Sequence, residues 1–176
     1  IALGPDGKLL PGFPVEVDRV AAAIAIDRRH VIDDGFFASP VLADLDRDGR
    51  LDIIAAAFDS QVYVWKGDGS RLPGWPVLLW DAERPDDERG EEPRQRQRIM
   101  ATPTVGDLNG DGIPDIVVGT NEQYSDSGRL YAIDGRGTKA AKTLLPGWPV
   151  STFSRYVLPV VGSGLPNAAA MADIDR

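Results

Sequence analysis

No cysteine occurs among the 176 residues, so neither disulfides nor thiolate chemistry contributes, and the compartment is left open on this count. Histidine occurs once, at His30, with no Ser/His/Asp arrangement around it; a surface or packing role is the expectation there, not catalysis. Without thiolates, and with one imidazole that lies outside both acidic loops, 44–52 and 107–115, zinc and the softer metals are poorly served. No apolar run reaches the length that spans a bilayer, so membrane insertion is not expected. Residues 1–7 lack the basic and apolar regions of a signal peptide. Helical 3.6-residue periodicity is absent throughout. Basic residues are the minority, 19 Lys+Arg against 27 Asp+Glu, and the net charge of −8 argues against nucleic acid as a partner. Gly162-Ser163-Gly164 lacks the strand-to-helix context of a phosphate loop or a nucleophile elbow. The chain has 43% hydrophobic residues, enough for one domain with a core.

Oxygen ligands, in contrast, are concentrated. Asp44-Leu45-Asp46-Arg47-Asp48-Gly49-Arg50-Leu51-Asp52 carries carboxylates at positions one, three, five and nine and a glycine at six. Asp107-Leu108-Asn109-Gly110-Asp111-Gly112-Ile113-Pro114-Asp115 repeats the pattern, and Asp173-Ile174-Asp175 begins it a third time. Alternate oxygen side chains on a tight loop converge on one point, and Ca²⁺ takes about six to eight oxygens. Asp44, Asp46, Asp48 and Asp52, with the Arg50 carbonyl, form one predicted set; Asp107, Asn109, Asp111 and Asp115, with the Ile113 carbonyl, form a second. Asp173 and Asp175 open a truncated third. Gly49 and Gly112 permit the sharp turn around the ion. Mg²⁺ suits such a loop less well, because it keeps its waters and demands a rigid octahedron. The competing reading is an Asp/Asn/Gly surface turn without metal. Matched copies favour calcium, since converging acids repel one another without a cation.

The loops are not EF-hands. Position twelve is Ala55 or Val118 where an EF-hand needs Glu, and strand-like runs follow instead of helices. A second element recurs as Pro11-Gly12-Phe13-Pro14-Val15, Pro73-Gly74-Trp75-Pro76-Val77 and Pro146-Gly147-Trp148-Pro149-Val150. Loops and Pro-Gly elements alternate with a period of about 65 residues. Each full repeat offers four strands: 39–43, 52–58, 61–65 and 75–79 in one, and 102–106, 115–120, 129–133 and 148–152 in the other. The predicted fold is all-β: β-propeller blades of four antiparallel strands. Residues 1–176 form a single partial propeller. It has full blades at 38–80 and 101–152, the end of a preceding blade at 1–17, and the start of a following one at 168–176. Propellers close with about four to eight blades, so the remainder of a longer propeller chain is an expected partner.

These motifs resemble the FG-GAP/VCBS repeat family and are similar to the calcium-binding blades of the integrin alpha-subunit propeller. The resemblance rests on Asp-x-Asp-x-Asp-Gly-x-x-Asp at 44–52 and Asp-x-Asn-x-Asp-Gly-x-x-Asp at 107–115, each followed by an apolar strand. Residues 35–40, Gly-Phe-Phe-Ala-Ser-Pro, approximate the family's Phe-Gly and Gly-Ala-Pro signatures. The resemblance implies structural calcium, an extracellular, secreted or cell-surface setting, often bacterial, with the periplasm as alternative, and a non-enzymatic role in adhesion or binding. Two other roles are compatible with it: an accessory or catalytic propeller of a polysaccharide-degrading enzyme, and a structural repeat of a secreted or surface assembly.

Strand parity puts the metal loops and the Gly-rich turns at 66–69 and 134–137 on one rim. The connections 18–37, 81–99 and 153–167 and the loops 58–61 and 120–128 fall on the other, where a protein or carbohydrate ligand is expected. Trp80, Tyr124, Phe153 and Tyr156 are contact candidates there. The charged run 81–98 reads as a solvated loop. Phe13, Trp75 and Trp148, at equivalent repeat positions, read as packing residues.

Overall fold

The computed structural model describes residues 1–17, 35–79, 99–120, 129–151 and 167–172. Two four-stranded antiparallel meanders account for its strands. The first runs β1 (Val41–Ala43), β2 (Asp52–Ala56), β3 (Gln61–Trp65), β4 (Val77–Leu78); the second runs β5 (Thr104–Gly106), β6 (Asp115–Gly119), β7 (Arg129–Ile133), β8 (Val150–Ser151). Registers correspond: Val41 pairs with Ile54 as Thr104 pairs with Val117, and Ala43 with Asp52 as Gly106 with Asp115. A three-residue 3-10 turn, Gly137–Lys139, is the one helical segment among the described residues.

The inner strands match the sequence reading at β3 and β7, while the outer strands are shorter than predicted, for identifiable reasons. Pro40 and Pro103 have no N–H to give the ladder, so β1 and β5 start after them. β2 stops at Ala56 because the hairpin turn begins: Ala57 N–H donates to Gln61 O (3.0 Å), and Asp59 Oδ1 accepts from Gln61 N–H (3.0 Å). β4 and β8 start late because the Pro-Gly elements are spent in turns. Trp75 N–H donates to Leu72 O and Trp148 N–H to Leu145 O, each at 3.2 Å, with Pro and a positive-φ glycine at the two central positions of a type II turn.

Residues 1–17 repeat the same local pattern. Leu3 bridges Leu9 as Trp65 bridges Arg71 and Ile133 bridges Leu144, and Phe13 N–H donates to Leu10 O (3.2 Å).

Strands buried on one face alternate apolar and polar residues. Here β3 and β6 are buried at every position, and β2 at all but Ile53. The sheets are therefore covered on both sides. Ile54, Val62 and Val64 pack toward the second sheet, meeting Ile116, Val118, Tyr131 and Ile133 in one core. Ala55, Ala57, Tyr63 and Trp65 face the other way, against Val15 and Val17. Val117 and Ala132 face away from the first sheet, against Ala169 and Met171. Face-to-face stacking of four-stranded meanders is the arrangement of propeller blades, and each buried Ile, Val or Leu contributes roughly 1.5–3 kcal/mol to it.

Backbone contacts lock the stack. Thr138 N–H and Oγ1–H both donate to Gly74 O, at 2.9 and 3.1 Å, so the Pro-Gly turn of the first sheet seats on the 134–138 turn of the second. One repeat earlier, Gly12 meets the backbone of Asp68 and Gly69 too closely for a side chain on either glycine. Toward the chain end, Thr104 Oγ1–H donates to Ala169 O (2.6 Å).

Candidate metal loops and their counter-cations

Each loop joins the first strand of its sheet to the second. The first is wound by its own carboxylates: Asp44 accepts from the N–H groups of Asp48 (3.1 Å) and Gly49 (2.9 Å), Asp46 from Asp48 (3.2 Å), and Asp48 from Arg50 (2.9 Å). The second repeats this nearly bond for bond. Asp107 accepts from Gly110 (2.7 Å) and Gly112 (2.8 Å), Asn109 from Asp111 (2.8 Å), and Asp111 from Ile113 (2.8 Å). Gly49 (φ 83°) and Gly112 (φ 80°) hold the left-handed turn expected at position six. Position four is left-handed too. Gly110 (φ 75°) occupies it in the second loop and Arg47 (φ 58°), which carries a side chain, in the first.

Position nine closes each loop. Asp52 Oδ2 accepts from Leu45 N–H (3.0 Å), Asp115 Oδ2 from Leu108 N–H (2.9 Å), and Asp115 Oδ1 from Gly135 N–H (3.3 Å). Both carboxyls are buried, and burial pushes both above the ordinary carboxylate range; Asp46 and Asp48 add repulsion at Asp52, and Asp134 at Asp115.

One oxygen each of Asp44, Asp46 and Asp48 lies within 4.8 Å of the others, the one grouping of three or more such acids among the described residues. This all-oxygen donor set on a flexible loop fits a hard divalent cation. Asp52, the predicted fourth ligand, is not part of this grouping; its carboxylate is joined to Leu45 at the loop's start. In the second loop Asn109 replaces the third-position carboxylate and donates Nδ2–H to Asp111 Oδ2 (3.3 Å). Arg50 and Ile113 hold equivalent places, their N–H groups bonded to Asp48 and Asp111. Asp173 and Asp175 lie outside the described residues, as do His30, Trp80, Tyr124, Phe153, Tyr156 and residues 81–98. Trp75 is buried in the inter-sheet core, and Trp148 packs against Val117 and Leu145, as repeat aromatics should.

Three basic residues were missed in the sequence reading. Lys66 Nζ donates to Asp46 Oδ2 (2.5 Å) and Asp48 Oδ2 (3.2 Å), and this ammonium holds the Asp46 carboxyl below its ordinary range. Arg136 grips Asp134 with a two-point fork, Nε to Oδ1 at 2.8 Å and Nη2 to Oδ2 at 2.5 Å, and touches Asp111 Oδ2 at 3.1 Å. Arg47 reaches from the first loop to the Asp111 carbonyl of the second (3.0 Å). Strand parity held the signal. Lys66 and Arg136 belong to the turns after β3 and β7, which parity puts on the loop rim. A cleft of about 330 Å³ opens between the sheets on this rim, bordered by Asp46, Arg47, Lys66, Ile113 and Arg136.

Comparison with known proteins agrees with the repeat. The FG-GAP repeat family model matches residues 101–133, spanning β5, the second loop, β6 and β7. No curated protein and no solved structure matches the chain. Among the described residues no helix is long and apolar enough to cross a membrane. The four-stranded meander and its Asp-wound loop agree with this match, which gives residues 101–133 the pattern of an FG-GAP repeat.

Proposed function

We propose that this chain is a calcium-stabilised, non-enzymatic part of an extracellular propeller whose role is binding or adhesion. The observation that carries the reading is the pair of loops with one winding pattern, each tying strand one to strand two of its sheet. Asp44, Asp46, Asp48 and Asp52 would hold one ion, and Asp107, Asn109, Asp111 and Asp115 another. The ion supplies charge neutralisation: acids that repel each other become a cross-link, and binding adds to folding stability by mass action. An extracellular setting suits loops of this exposure, because extracellular calcium modules work at about 10⁻⁴–10⁻³ M.

A thermal melt in EDTA and across a calcium titration, with magnesium as control, tests the reading. A calcium-specific rise in Tm, lost in the Asp48→Ala/Asp111→Ala double variant, is expected. A folded sample with no shift at millimolar calcium would leave the loops as Asp-rich turns.

For the partner, we assign a protein or carbohydrate ligand to the rim opposite the loops, because the loop rim is occupied by its own ion pairs. Retention of the parent protein on immobilised matrix proteins and glycans should fall with Phe58→Ser on that opposite rim and persist with Leu108→Ser on the loop rim. The reverse pattern would move the ligand to the loop rim.

A further inference from the structure

We propose that Lys66 is a tethered counter-cation of the first loop, which calcium must displace, so that Lys66 lowers that loop's calcium affinity and holds the β1–β2 loop to the turn after β3 when calcium is scarce. The inference rests on the calcium reading above and goes beyond it by naming the residue that sets the difference between the two loops.

Counting acids alone favours the first loop, with four carboxylates against three and an amide. The structure changes that count. The Lys66 ammonium contacts two of the three clustered carboxylates, Asp46 and Asp48, through the oxygens not used on the loop backbone. An ammonium is a compact point charge on a flexible stem, so it can enter a carboxylate cluster and leave it. With Lys66 set against the four carboxylates, the candidate ligand side chains of the two loops carry a comparable negative charge.

The second loop has no equivalent. The turn position matching Lys66 is Asp134, which cannot neutralise acids. Its cation is Arg136, held in the fork with Asp134, and the guanidinium reaches only one oxygen of Asp111. A planar fork anchored at both ends does not move into a loop as an ammonium does. Calcium therefore meets an internal competitor at the first loop and not at the second.

Lys66 side-chain exposure of 32% sets the scale. A pair about one-third exposed is screened by solvent, so the competition amounts to about three- to tenfold in affinity and not more. The direction is definite, since a cation that leaves on binding always weakens the binding it precedes.

The experiment is isothermal calorimetry of calcium into the chain, its Lys66→Met and Arg136→Met variants, and Lys66→Met combined with Asp48→Ala, with parallel melts in EDTA. Lys66→Met should tighten one site by about three- to tenfold. Asp48→Ala in that background should remove the tightened site, which assigns it to the first loop. Arg136→Met should change affinity less than twofold. In EDTA, Lys66→Met should melt below the unsubstituted chain, because the clustered acids lose their counter-charge. Lys66→Gln serves as a second neutral variant should the methionine alter folding. Calcium binding with unchanged affinity and unchanged EDTA melting in both neutral variants overturns the role of Lys66 and leaves the calcium reading intact. No calcium heat in any folded protein, the unsubstituted chain included, defeats the calcium reading and this inference together.

Discussion

The β1–β4 and β5–β8 sheets share connectivity, register, loop winding and turn hydrogen bonds, yet they balance their charges differently. The first uses four loop carboxylates and a lysine that touches two of them. The second replaces one carboxylate by Asn109, softens position four with Gly110, and anchors its cation on Asp134. Backbone geometry is thus common to the repeat, whereas electrostatics is solved locally. The reason lies in what each level needs. The hydrogen bonds that wind the loop require an oxygen at positions one, three and five, which Asp and Asn both provide. The charge left over depends on which of the two stands there, and on what the neighbouring turn offers.

Substitutions can break this comparison, beginning in the core. Tyr131 is fully buried in the seam between the sheets, and Tyr63 is fully buried on the opposite face of the first sheet. Each change to Ala should cost about 3–5 kcal/mol. Tyr131→Ala should also uncouple the sheets, so that urea unfolding followed by fluorescence and circular dichroism gives two transitions, while Tyr63→Ala keeps one. Coincident transitions for Tyr131→Ala would show that the seam does not transmit cooperativity.

The paired turns give a smaller, sharper contrast. Gly74 (φ 104°) and Gly147 (φ 85°) occupy the same repeat position. A Cβ on Gly74 would lie 2.7 Å from Arg136 O, whereas on Gly147 it meets nothing within 4 Å among the described residues. Gly147→Ala should cost about 1–2 kcal/mol, for the left-handed backbone alone. Gly74→Ala should cost at least ~1 kcal/mol more, because the turn must also lift from its neighbour. Equal losses in denaturant midpoint would mean that the inter-sheet seat yields freely.

Position four of the loops tests the local strain. Gly110→Ala should cost about 1 kcal/mol. Arg47→Gly should change stability by less, because relief of the left-handed backbone offsets the lost bond to Asp111 O. A large loss for Arg47→Gly, measured by urea melts, would show that the inter-loop bond outweighs the backbone strain.

Acid sensitivity gives the smallest effect. Hydrogen bonds from Arg136 hold the Asp134 carboxyl below its ordinary value of 3.8. A carboxyl lowered on folding adds stability above its unfolded value and loses it as pH falls through the folded one. Asp52 and Asp115 act the other way: their pKa is raised by burial, so their ionisation costs stability at neutral pH, and that cost is relieved as pH falls through their folded values, above 3.8. Asp134→Asn should therefore flatten the stability loss below pH 3.8 and leave the region above it unchanged in shape. A variant whose acid limb matches that of the unsubstituted chain would show that the Arg136–Asp134 pair carries no linkage.

Much of the fold was legible because its signals are local. Short apolar runs closed by Gly-rich turns set β3 and β7 to the residue, and the Leu-Pro-Gly-aromatic turn imposes its backbone wherever it occurs. The loop carboxylates were legible for the same reason, since Asx bonds reach only a few residues along the chain. Strand ends were less so, where Pro40, Pro76 and Pro103 withhold N–H groups from the ladder. Only the tertiary structure decided which basic residue meets which acid. Lys66 and Asp46 are brought together by a hairpin, and Arg47 and Asp111 by the stacking of two sheets. The sequence by itself determined the repeat, the strand order and the winding of the loops, all governed by short-range hydrogen bonds and by short apolar runs between turns. Charge balance at each loop, and hence the contrast between them, was settled by packing, because electrostatic partners are chosen by proximity in space.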